Sequence, residues 1–160
     1  MIFILLGTQK VPFLRLIAEL DALRKNGVIS PSQKIIIQAG YTPVIESAGL
    51  EVYDFLTSEL YDKLLDEAEL VITHGGAGSI FDALNKNKKI IALSRCKAFG
   101  EHVDDHQAEL VLALYSQGYL IGEPTLQESF TRLENYQFQK YYSNKTEIIT
   151  RIKELIEEEK

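Results

Sequence analysis

Short runs of apolar, β-branched residues alternate along the chain with longer stretches whose apolar positions recur every three or four residues. Ile2–Leu6 is an unbroken apolar run closed by Gly7 and predicts a buried strand. Pro12 to Asn26 predicts a helix, with Phe13, Leu16, Ile17, Leu20 and Leu23 on one face, Pro12 in the first turn and Gly27 beyond the end. Lys34–Gln38 and Glu51–Leu56 predict two further strands, and Ser58 caps a helix running through Ala68. Leu70–Thr73 is a fourth strand, followed by a glycine-rich turn and a helix from about Gly78 to Asn85. Ile90–Leu93 is the fifth. A charged loop, Ser94 to Val103, leads into a helix from about Asp104 to Ser116. Tyr119–Ile121 predicts a weak last strand, and Thr125 and Asn144 are N-caps of two more helices.

Strands that alternate with helices, and are apolar on both faces, imply a parallel sheet covered on both sides. The expected fold is therefore α/β, a doubly wound, Rossmann-like sheet. With 160 residues, 46% hydrophobic and 25% charged, the chain suits a single domain over 1–160 that buries a real core. A net charge of −6 supplies no basic field, so nucleic acid is not an expected partner. Cys96 is alone and cannot close an internal disulfide. No stretch approaches the ~20 apolar residues of a membrane span, and the N-terminus lacks a basic signal-peptide region, so a soluble cytoplasmic protein is expected.

In such sheets ligands bind outside the carboxyl ends of the strands. His74, His102 and His106 all fall in or beside the last two exit loops. The turn His74-Gly75-Gly76-Ala77-Gly78-Ser79 joins a strand to a helix, where free N–H groups and the helix dipole favour an anion. A tight turn without a ligand is the plainer reading, but the flanking His and Ser and the place on a parallel sheet favour phosphate. Neither G-x-G-x-x-G nor the P-loop motif occurs, and G-x-S-x-G is absent, which leaves a hydrolase as a weak rival.

Three separated segments carry a more specific resemblance. Leu70-Val71-Ile72-Thr73-His74-Gly75-Gly76-Ala77-Gly78-Ser79 resembles the nucleotide-sugar signature of the C-terminal domain of glycosyltransferase family 28. Gly7-Thr8 with Pro12-Phe13-x-Arg15-Leu16, and Gly100-Glu101-His102-Val103-Asp104-Asp105-His106-Gln107, match in the same order. The likeness covers residues 1 to about 122. It is greatest to the small split enzymes of bacterial capsule and exopolysaccharide synthesis. The soluble subunit of the dolichol-linked N-acetylglucosaminyltransferase is a relative.

The resemblance implies the donor-binding half of a GT-B enzyme, with UDP-sugar as donor substrate, no cofactor and no metal. Gly76, Ala77, Gly78 and Ser79 would hold the diphosphate, with His74 and Gly75 in the same substrate-binding turn, and Gly7 and Thr8 would line the cleft floor. Asp82 falls where relatives bind the ribose, although it also complements the helix dipole and is shorter than the usual Glu. Phe55 falls where the backbone reads uracil, or is simply core. Asp105, His106 and Gln107 match the segment that contacts sugar hydroxyls, or cap and solvate a helix start. Arg95 and Lys97 are exposed loop charges that could neutralise a diphosphate. A metal site from Glu101, His102, Asp104 and His106 has irregular spacing and is not expected. The tyrosines Tyr136, Tyr141 and Tyr142 form an amphipathic patch.

The implied reaction is inverting transfer to a lipid-linked saccharide acceptor, which needs a general base. The base and acceptor wall are expected on a membrane-associated partner subunit with a Rossmann-like domain. His74, Glu101 and His102 are weak local candidates. The stripe Ile148, Ile149, Ile152, Leu155 and Ile156, within a C-terminal helix over 144–160, would pack on the sheet or dock that partner. The alternatives are a non-catalytic nucleotide-sugar-binding module and a scaffold of the same fold.

Overall fold

A computed structural model describes residues 1–102 and 106–143. Five strands form one parallel sheet: β1 (Ile2–Leu5), β2 (Ile35–Gln38), β3 (Leu50–Tyr53), β4 (Leu70–Thr73) and β5 (Lys89–Ala92). Their spatial order is β3-β2-β1-β4-β5, so the direction of winding reverses between β1 and β4. The helices are α1 (Leu14–Lys25), α2 (Ser58–Glu67), α3 (Ala77–Asn85), α4 (His106–Ser116) and α5 (Leu126–Leu133). This is the doubly wound α/β architecture expected from the alternating pattern.

The strands are apolar throughout because each face has its own cover. Ile2, Ile4, Ile35, Ile37, Ile72 and Ile91 point to one side, where Leu16, Leu20 and Leu23 of α1 and Leu126 of α5 meet them. Phe3, Leu5, Ile36, Val71 and Ile90 point to the other, against Leu64 and Leu65 of α2, Ile80, Ala83 and Leu84 of α3, and Val111 and Leu114 of α4. One alternation of side chains thus builds two cores.

Several boundaries move for local reasons. Thr57, not Ser58, caps α2, its side chain accepting from the Leu60 N–H at 3.3 Å. The third strand ends at Tyr53, leaving Phe55 in the loop beyond. The weak last strand contracts to one bridge: Ile121 donates to Ile90 O at 2.9 Å and accepts from Ala92 N at 2.8 Å. The tyrosines form no single patch, since Tyr136 packs on the α1 side and Tyr141 on the opposite one. The helix expected after Asn144, with its partner-docking stripe, lies outside the described residues. Among the described residues, no helix is long and apolar enough to cross a membrane.

Thr125 is an N-cap as its sequence suggests, and forms a full capping box. Its hydroxyl accepts from Glu128 N at 3.2 Å, while the Glu128 carboxylate accepts from Thr125 N at 3.2 Å. Thr125→Ala is expected to lower the unfolding free energy by about 1 kcal/mol, read from urea denaturation.

Candidate functional site at the switch point

Register places Leu5 of β1 beside Thr73 of β4, so the two strands release their exit loops side by side. A cleft of about 290 Å³ opens there. Gly7, Thr8, His74, Gly76, Gly78, Ser79 and Asp82 line it, as the motifs anticipated, together with Leu5, Gln38 and Tyr61. Gln38 and Tyr61 carry no motif. They arrive only because β2 pairs with β1 and α2 crosses behind the cleft, which local spacing does not encode. A larger hollow of about 550 Å³ lies beyond the exit of β5, but mostly apolar groups line it.

His74 is the centre of the cleft floor. Its backbone N–H and its ring Nδ1 both reach the Leu5 carbonyl oxygen, each at 3.1 Å. A carbonyl can only accept, so Nδ1 carries the proton and Nε2 holds a free lone pair. The ring is wedged between two glycines. A Cβ on Gly7 would sit 2.7 Å from Nε2, and one on Gly76 would overlap it outright. The glycines are thus required by the imidazole as well as by any ligand. Burial, with Arg95 and His102 nearby, brings the His74 pKa down to about 4, so the ring is neutral at ordinary pH.

The N-terminus of α3 faces the same cleft. Its N-cap is Gly76, which has no side chain to cap the first-turn N–H groups. Those donors and the helix dipole favour an anion there. Ser79 is less available than its motif implies. Its hydroxyl donates to Gly76 O at 3.0 Å and lies 2.7 Å from Thr73 Oγ1, so its proton is already engaged. Asp82 stands at the cleft edge, exposed, and accepts from the Tyr61 hydroxyl at 3.2 Å. Burial and this carboxylate push the Tyr61 pKa up, which keeps the phenol a donor.

Other expected site residues are placed elsewhere. Arg95 is not an exposed loop charge: it is 1% exposed and sits beneath the loops. Glu101 cannot serve as a base. It is buried, and its carboxylate receives Arg15 Nε at 3.0 Å, Arg15 Nη2 at 2.9 Å and the Cys96 N–H at 3.0 Å. Phe55 is neither core nor cleft lining: it is 51% exposed, edge-on to Tyr41. Gly75 is buried under Ser94 and Val111, and Ala77 is exposed at the start of α3. His102 Nε2 lies 2.7 Å from the Gln9 amide nitrogen, bridging the first and fifth exit loops. His106 is exposed and pairs with Glu109 at 3.3 Å. Gln107 lies in the first turn of α4 with a buried Oε1 that has no partner. Neither His106 nor Gln107 lines the cleft, and Asp105 falls outside the described residues. Among the described residues, no three His, Cys, Asp or Glu side chains converge so as to hold a metal ion.

A doubly wound domain with an anion-favouring helix end at its switch point has the architecture in which ligands bind outside the carboxyl ends of the strands. Comparison with known proteins makes this specific: the chain matches the glycosyltransferase family 28 C-terminal domain over residues 1–158, and belongs to that family. It is similar to the human UDP-N-acetylglucosamine transferase subunit ALG13, 29% identical over 126 residues that cover 74% of this chain and 10% of the relative. The Candida albicans protein of the same name is 30% identical over 78 residues, 49% of this chain and 25% of the relative. The chain thus spans a quarter or less of these relatives' length. The solution structure of ALG13 superposes with a TM-score of 0.55 at 22% identity, covering 87% of this chain and 86% of that one. Acinetobacter baumannii MurG superposes at 0.57 and 20% identity, covering 84% and 41%. At these identities the structures show the fold, that of one half of a GT-B glycosyltransferase.

His74 also links stability to pH. The unfolded chain takes up a proton near the ordinary value of 6.5, the folded one only near 4. This contribution is therefore complete above pH 6.5 and lost as pH falls from there to about 4. It amounts to about 3 kcal/mol. His74→Gln should flatten that limb, seen in the difference between wild-type and variant unfolding free energies across this range.

Proposed function

We propose that this chain is the donor-binding subunit of a two-component, inverting glycosyltransferase that uses a UDP-sugar. The observation that carries the reading is the uncapped N-terminus of α3, which faces the switch-point cleft between Gly7, His74 and Asp82. The N–H groups of Ala77, Gly78 and Ser79 would stabilise the diphosphate as UDP departs, a role suited to fixed dipoles in a partly dry site. Asp82 would accept from the ribose, and Gln107, outside the cleft lining at the start of α4, would meet a sugar hydroxyl once its buried Oε1 turns outward.

Two observations support a partner. The cleft, at about 290 Å³, is at the lower end of ligand sites, typically ~300–1,000 Å³, and is open to one side. The cleft floor also offers no well-matched base. Glu101 is locked to Arg15, and a His74 that titrates near 4 is a poor acceptor of an acceptor-hydroxyl proton at neutral pH. The general base and the acceptor wall would belong to a membrane-associated subunit that keeps this chain at the cytoplasmic face. The acceptor would be a lipid-linked saccharide of exopolysaccharide or capsule synthesis. No metal or cofactor enters this reading.

Calorimetry of the purified complex with a panel of UDP-sugars tests the donor. Heat is expected for one or a few of them, and silence for all would sink the assignment. Gly76→Asp, which puts a carboxylate in the anion site and against His74, should cut transfer at least ~100-fold. Gln107→Ala should lower it about tenfold. The isolated chain should bind donor weakly and transfer little. Full transfer by the chain alone would refute the two-component reading.

A further inference from the structure

Arg95 is among the largest wholly buried side chains, 1% exposed, and nothing in the donor reading uses it. Its Nη2 donates to Leu6 O at 2.8 Å, and its Nη1 to Val11 O at 2.6 Å and Glu101 O at 3.3 Å. The guanidinium lies 4.9 Å from the centre of the Phe13 ring, and its Nε has no partner. Among the described residues every acceptor it meets is a carbonyl, and none is a carboxylate. Glu101, the nearest acid, already holds Arg15 in a two-pronged pair. Burying a cation without a contacting counter-ion is costly, and an aliphatic side chain would fill the space more cheaply.

The geometry explains what the cation does. Leu6 and Val11 bracket the loop that begins at Gly7 and forms one wall of the cleft. Their carbonyl oxygens are turned inward onto Arg95, so the negative ends of these dipoles are kept off the cleft. The positive charge itself stays one residue away from Gly7, shielded from water.

We propose that Arg95 is a positioning residue for an anionic ligand: from below the cleft it orients the first exit loop and supplies a buried positive charge, held by no contacting carboxylate, that a diphosphate senses without contact. The inference rests on the donor reading above and deepens it. The same charge helps to keep His74 unprotonated, alongside burial and His102, while the Leu5 carbonyl works in the opposite direction. Discrimination by net ligand charge is the consequence. A buried cation at low effective dielectric favours UDP over UMP, and UMP over uridine, by a total that rises with the ligand's negative charge.

The test titrates uridine, UMP and UDP into the full chain by NMR for wild type, Arg95→Lys and Arg95→Gln, and follows the His74 ring against pH. Arg95→Gln should weaken UDP about tenfold or more but uridine less than about threefold, given a through-space charge effect. Arg95→Lys should keep the UDP-to-uridine ratio within about threefold of wild type at a pH low enough to hold the buried ammonium protonated, because the charge is then kept. His74 should titrate at higher pH in Arg95→Gln than in wild type. Equal losses for UDP and uridine, or an unmoved His74, would overturn the inference and leave the donor reading standing. If Arg95→Gln does not fold, Arg95→Lys decides alone: a preserved ratio supports the charge role, and a collapsed ratio overturns it. Wild type that binds neither UDP nor uridine, both alone and in the purified complex, overturns both readings together.

Discussion

The parallel pairing of β1 with β4 is the contact from which the rest of the molecule follows. It sets the winding reversal, and it brings two loops distant in sequence to the same end of the sheet. The pairing continues past the last ladder residues, because Leu5 O receives both the backbone and the ring N–H of His74. One carbonyl thereby fixes the imidazole's position and its tautomer. The imidazole in turn requires glycine at positions 7 and 76, and these clear the approach to the first turn of α3. Sheet register and anion-binding geometry are thus one constraint.

A second layer beneath the exit loops holds them in place. Arg15, at the start of α1, ties Glu101 and the Ser94 carbonyl of the fifth exit loop, while Arg95 reaches back to Leu6 and Val11 of the first. Phe13 lies against both guanidiniums and Phe99 against Arg15. Above them Gln9 meets His102. The first and fifth exit loops therefore form one joined rim, with Arg95 and Glu101 buried beneath it while Lys10 and Lys97 stay exposed. An acidic chain can offer an anion a favourable site in this way, because buried dipoles and one buried cation act locally where net charge does not.

Membership of glycosyltransferase family 28 and the GT-B half-fold agree with this construction, since ligands of doubly wound sheets bind outside the carboxyl ends of the strands. The described cleft is small, about 290 Å³, and neither Glu101, locked to Arg15, nor His74, with a pKa brought down to about 4, is matched to accept a proton at neutral pH.

Much was legible in the sequence because it was local. Unbroken runs such as Ile35-Ile36-Ile37 identify buried strands, the 3.6-residue spacing of Leu16, Leu20 and Leu23 identifies an inward helix face, and Gly76 to Ser79 mark the strand-to-helix turn. What the sequence could not decide was how charged side chains divide between water and the interior. Arg95 and Glu101 look like ordinary exposed loop residues, yet both are buried, because the partners that hold them from across the fold are 84 to 89 positions away in sequence. Phe55 looks like core and is exposed, because its strand stops two residues earlier. Ser79 looks like a free donor and is engaged, because Thr73 and Gly76 fold back onto it. Periodicity and glycine placement are written in neighbouring residues and determine the strands, the helices and the anion turn. The pairing of ions, the tautomer of His74 and the arrival of Gln38 and Tyr61 depend on contacts that exist only after the sheet has assembled.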